Sequence, residues 1–316
     1  MKVGYIMKKM DKATVIFSII CAGFLITFLI MAYLLWQSFR TELPRYVYEA
    51  PATTMKIYRE TAIRKQGDKP TIAMLDLWQS LSVKTIGVPI EVIFGNRKEQ
   101  TLHPQLRSFP GEINTALPEI YKGKVKLVVW LESLSDVKYI IITHEIGHWI
   151  LKLRGFQPFM VRGRENSDIE IFLNSMAEHP PLYALQRSIG HEPQAEIDSR
   201  CLHNIKLFSK CKEAQQREVR IRNALMLADD IFNSEENRQL LINVLTQRHP
   251  NTLNLLRKLI ELESSYDLLV PDQNLNFREQ VIEVLELGQG WNKRDEVKNL
   301  SSLVKQATKQ SHQSKP

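Results

Sequence analysis

Two histidines and a glutamate stand where their side chains can share one task. In the run YIIITHEIGHWILKLRG, from Tyr139 to Gly155, His144 and His148 are four positions apart and Glu145 follows the first. On an α-helix, positions i and i+4 lie on one face a turn apart, so both imidazoles can point at the same spot. Imidazole nitrogen is a common ligand for a divalent metal. A tetrahedral Zn²⁺ accepts two such donors from one helix and keeps places for a third ligand and for water. Glu145 then lies within reach of that water, which the metal makes more acidic and whose proton the carboxylate can take. The chemistry is hydrolysis of an acyl bond.

The surroundings of the motif are apolar, with Ile140, Ile141, Ile142, Ile146, Trp149 and Ile150. Two histidines and a glutamate are costly to bury there without a shared partner. Gly147 costs up to about 1 kcal/mol inside a helix, which makes sense where another part of the chain must come close. Gly155 supplies a helix stop.

Elements must hold this helix in place. KLVVWLES, from Lys126 to Ser133, and VPIEVIF, from Val88 to Phe94, are β-branched, partly alternating runs that predict strands. A helix is expected around Ile72 to Leu81. The segment between the strands carries Pro104, Pro110, Gly111 and Pro118 and reads as a loop. From Val137 to about Lys305 the periodicity is helical, with breaks expected at Gly155, Pro180-Pro181, Gly190, Pro250 and Pro271.

HEIGHW with a strand ahead of it resembles the active-site helix of the zincin superfamily, over roughly residues 124 to 200. The resemblance implies a zinc metallopeptidase with an α+β, predominantly helical fold: a zincin-like core with a small sheet and an HExxH active-site helix. Within that resemblance KLVVWLES is either the edge strand against which an extended substrate is laid or simply a core strand, two readings of equal weight. The metzincin extension is absent, because WILKLRGFQP follows His148 without a third histidine. Lys138 and Lys152 bracket too few residues for an intramembrane motif. The nucleotide-binding sequence of the membrane ATPase proteases is also missing.

The gluzincin pattern remains. Resemblance to it implies a glutamate on a second helix as third ligand, followed one turn later by a residue that orients a histidine. In DIEIFLNSMAEH, from Asp168 to His179, these are Glu170 and Asn174. The expected metal ligands are therefore His144, His148 and Glu170. Glu178 and His179 are the competing candidates for the third place, while His191, Glu192, Glu196 and Asp198 read as surface residues. An oxyanion donor could be Tyr183, His179 or His191.

The rest of the chain reads more plainly. Of 316 residues, 44% are hydrophobic and 24% charged, as expected of a chain that buries a core. The net charge of +7 is partly carried by Lys2, Lys8, Lys9 and Lys12, and what remains is too mild to imply a nucleic-acid partner. Cys201 and Cys211 sit about 15 Å apart along one expected helix, too far for a disulfide. Asp229-Asp230 reads as a polar step on an amphipathic helix, and Lys212 to Arg222 as a solvated face. Ala13 to Trp36 is an uncharged run of 24 residues, from which a transmembrane helix is expected.

The expected organisation is a short segment 1–12, a bilayer-spanning anchor 13–37, a connector 38–70, a zincin-like domain 71–200, a helical region 201–305 and a disordered tail 306–316. The lysines ahead of the apolar run favour placing the C-terminal domain on the non-cytoplasmic side. The expected function is a single-pass, membrane-anchored zinc metallopeptidase acting on a protein or peptide substrate, with Glu145 as general base. The alternative is a membrane-tethered helical adaptor or regulator with a structural or vestigial metal site.

Overall fold

A mixed sheet and a bundle of helices divide the chain in the computed structural model, which describes residues 58–96, 115–121, 124–131, 138–161 and 168–313. All of these fall in one compact unit, Met55–Pro316. The sheet holds β1 (Tyr58–Arg59), β2 (Val92–Asn96), β3 (Thr115–Tyr121) and β4 (Lys124–Leu131) in the order β1-β2-β4-β3. β2 and β4 are parallel, and β3 runs antiparallel to β4 at the edge.

Of its two readings KLVVWLES takes the core one and not the edge, because β4 pairs with β2 on one side and β3 on the other. That double coverage explains its nearly continuous apolar run. The edge is β3, in a segment that reads as loop on account of its prolines. Pro118 is accommodated because an edge strand has one unpaired side, where a missing N–H costs nothing.

Before the sheet come α1 (Glu60–Gln66) and α2 (Lys69–Ile86). Asp68 starts α2 by accepting the Thr71 N–H at 2.9 Å, Pro70 sits in its first turn and Gly87 ends it in the left-handed region. Met74, Leu75 and Trp78 of α2 are fully buried with Phe94, Leu127 and Val129 of the sheet. The motif helix α3 (Tyr139–Leu153) adds Ile142, Ile146, Trp149 and Ile150 to the same core and stops at Gly155, whose φ is 99°. Trp149 Nε1 donates to Ala116 O at 2.7 Å, which ties α3 to the edge strand.

The second core is helical. It is built by α4 (Asp168–Ser188), α5 (Gln194–Lys210), α6 (Arg217–Asn233), α7 (Arg238–Arg248), α8 (Pro250–Glu263) and α9 (Pro271–Val284). Pro250 and Pro271 open α8 and α9, and Gly190 follows α4, as the sequence predicts. Pro180-Pro181 does not break the chain: α4 runs straight through it. Proline lacks the N–H that would meet the carbonyl four residues back. The Ala177 carbonyl left over by Pro181 accepts instead from Asn274 Nδ2 of α9 at 2.6 Å.

A small sheet of β5 (Phe159–Val161) with β6 (Trp291–Lys293) links the end of α3 to the C-terminal part, and α10 (Glu296–Gln313) returns to the first core. The single-pass membrane expectation needs correction. Among the described residues no helix is long and apolar enough to cross a membrane. The run on which that expectation rested, residues 13–37, lies outside them, so the anchored, non-cytoplasmic placement has no support in the structure and is carried no further.

Candidate metal centre

α3 buries Ile142, Ile146 and Ile150 with the sheet and sets His144 and His148 against His179 of α4. The two helices come close at Gly147, where a Cβ would run into the Cδ1 of Leu182. What approaches the glycine is therefore a leucine side chain of α4. This contact brings His179 against the motif.

The imidazole centroids of His144, His148 and His179 lie 4.9, 5.1 and 5.5 Å from one another. Each ring offers one nitrogen to a common space, and those atoms lie within 4.8 Å of one another. Three donors from two rigid helices could hold a metal ion.

Two of the rings are held from behind. His148 Nδ1 lies 2.8 Å from Glu178 Oε2, and His179 Nδ1 lies 2.6 Å from Asp229 Oδ2 of α6. A carboxylate on Nδ1 keeps the proton there and leaves Nε2 as the donor. Burial, together with the nearby His148, His179 and Arg200, holds His144 well below the ordinary histidine range, with Gln186 acting against it. Burial also lowers His148, although its hydrogen bond to Glu178 opposes this. Both rings are thus neutral donors at neutral pH. Three imidazole nitrogens are donors of the kind that a divalent metal ion such as zinc accepts.

The carboxylates have their own counter-charges. Burial alone would raise Glu178, but the His148 hydrogen bond and the Arg278 cation hold it at about 2. Arg278, fully buried in α9, brings Nη2 to 3.4 Å from Glu178 Oε1 and donates Nη1–H to Gln157 O. Asp229 likewise stays below its ordinary value despite burial, because Arg200 and His179 face it. Arg200 of α5 lies 3.0 Å from Asp229 and 2.7 Å from Asp230, and its Nη1 donates to the Tyr183 oxygen at 3.0 Å. The Tyr183 ring stands 5.2 Å from His179 and 6.0 Å from His144. No known family model, curated protein or solved structure matches the chain.

Of the expected site residues, the fold brings His144 and His148 together with Glu145, half-buried, beside them. Glu170 does not join them. Its Oε2 accepts the Val161 N–H at 3.1 Å, while Asn174 accepts the Phe159 N–H at 2.9 Å and donates to the Phe159 carbonyl at 2.7 Å. One helical turn nearly matches a two-residue strand repeat, so this i, i+4 pair grips β5 from its open side. His179, the competing candidate, takes the third place, and Glu178 stands behind His148. His191 lies outside the cluster, tied to Thr143 at 2.8 Å and to Asp68 at 2.8 Å. Asp229, Arg200 and Arg278 carry no sequence signal for the site. Asp229 reads as a polar step on a helix, yet it is buried.

Proposed function

We propose that the chain is a zinc metallopeptidase of the zincin type, in which His144, His148 and His179 hold the ion and Glu145 is the general base. The observation that carries this reading is the convergence of three imidazoles from two facing helices, two of them backed through Nδ1 by buried carboxylates. A bound zinc ion would supply Lewis-acid chemistry, acidifying water and polarising a carbonyl. Glu145, one residue from His144, takes a proton from water and returns it to the departing amine, so that one carboxylate serves as base and then acid.

Tyr183 is the donor best placed for the developing oxyanion. His179 is assigned as a ligand and His191 is engaged by Thr143 and Asp68, which removes the other two candidates. Arg200 donates to the phenol oxygen, so the phenol hydrogen remains to be given to a substrate. Burial and Asp229 raise the phenol above its ordinary value, so it stays protonated. β3, with no described strand on its outer side, offers backbone groups to an extended peptide beside α3.

The test is metal content of the purified full chain beside peptidase assays on unstructured peptides. One zinc per chain is expected, lost in His179→Ala and kept in Glu170→Ala and Glu145→Gln, with hydrolysis abolished in Glu145→Gln. A chain that takes up no zinc, or one that hydrolyses peptides equally well as Glu145→Gln, rejects the proposal.

A further inference from the structure

His148 and His179 each have a carboxylate on Nδ1, which raises the question of what sets His144. Gln186, on α4 beyond His179, is almost fully buried at 1% exposure. Its Nε2 donates to Ile140 O at 3.0 Å and to Thr143 Oγ1 at 3.0 Å. A carbonyl oxygen can only accept, so the contact with Ile140 fixes which end of the amide is nitrogen. Oε1 is then left buried without a hydrogen-bond partner among the described residues. Buried acceptors rarely stay unmatched. In α3 the Ile140 carbonyl is the one that faces the His144 N–H, so the amide bound to it lies at the base of that residue.

We propose that Gln186 is the positioning residue of His144: its Oε1 accepts the Nδ1–H of the ring, which turns Nε2 toward His148 and His179. This rests on the metal-centre reading above. The amide is itself braced. Thr143 Oγ1 meets His191 Nδ1 at 2.8 Å, His191 Nε2 meets Asp68 Oδ2 at 2.8 Å, and the other Asp68 oxygen caps α2. The three rings therefore rest on two carboxylates and one neutral amide. Glu178 and Asp229 each have an arginine for counter-charge, whereas Gln186 needs none.

Two measurements on the full chain test this. In the metal-free protein, long-range ¹⁵N–¹H correlation spectra report which ring nitrogen carries the proton. His144 is expected in the Nδ1–H form, and finding it as Nε2–H overturns the proposal without any variant. In chelator competition, Gln186→Met is expected to bind zinc about 10- to 100-fold more weakly than the wild type. Thr143→Val, which removes one brace but keeps Oε1, is expected to stay within a few-fold. A purely structural Gln186 would leave the affinity of folded Gln186→Met unchanged, and that result also overturns the proposal. If the wild type binds no zinc while His144 is Nδ1–H, the metal-centre reading fails and the Gln186–His144 bond stands.

Discussion

Asp229 Oδ2 lies 2.6 Å from Nδ1 of His179, so a ring on α4 takes its orientation from α6, a helix contributed by a later part of the chain. Partners of this kind set the tautomer and basicity of a metal-binding histidine. Asp229→Asn keeps an acceptor and loses the charge, and is expected to weaken zinc binding about 10-fold; Asp229→Ala, which loses both, is expected to cost about 100-fold. Chelator competition on the folded variants reads both, and wild-type affinity in Asp229→Ala would remove Asp229 from the site.

Leu182 of α4 packs over Gly147 of α3, where a Cβ would run into its Cδ1. Gly147→Ala gains up to about 1 kcal/mol of helix propensity, but pushes against a packed leucine, at a cost of about 1–3 kcal/mol. Net destabilisation and reduced zinc occupancy are expected. Leu182→Ala in the same chain should restore zinc occupancy, because the added methyl then has room. Equal occupancy in Gly147→Ala and the wild type would show that the approach of α4 is not set here.

Asn174 should matter for stability and not for the metal. Its two half-buried hydrogen bonds to Phe159 are together worth about 1–3 kcal/mol. Asn174→Leu is expected to lose that much unfolding free energy in a urea titration while still binding one zinc per chain. Loss of zinc at unchanged stability would return Asn174, and with it Glu170, to the metal site.

The metal-free protein should be acid-sensitive in two stages. His144 and His148 lie below the ordinary value of 6.5, so the unfolded chain binds more protons as the pH falls through it, and folding weakens. Glu178, held at about 2, contributes stability that is present above 4.5 and lost as the pH falls toward about 2. Thermal unfolding followed across the acid range, with metal removed, should show both limbs. His144→Asn should flatten the upper one, and an unchanged upper limb in that variant would count against the neutral imidazole.

The part of the site that could be read from the sequence is the part that is local. His144, Glu145 and His148 sit within one and a bit turns of helix, and helix geometry alone aligns them. The third ligand was a choice between Glu170 and the pair Glu178 and His179 on one helix. Glu170 and His179 are about two and a half turns apart, so they face opposite ways, and only tertiary packing decides which of them meets α3. It is His179, because Gly147 receives Leu182, one turn farther along α4. β3 was hidden by Pro118, which marks a loop in most settings and is tolerated at a sheet edge. The continuity of α4 through Pro180-Pro181 depends on Asn274, far along the chain, and no local pattern announces it.

Asp229 and Arg278 have a consequence for the order in which the protein is made. During synthesis His144, His148 and His179 leave the ribosome before the residues that orient and balance them. Until α6 is in place His179 lacks its carboxylate, and until α9 follows Glu178 lacks its arginine. On the metal-centre reading proposed above, full-strength metal capture is deferred until α9 has been made, and a nascent fragment carrying only the HExxH helix is a poor competitor for zinc.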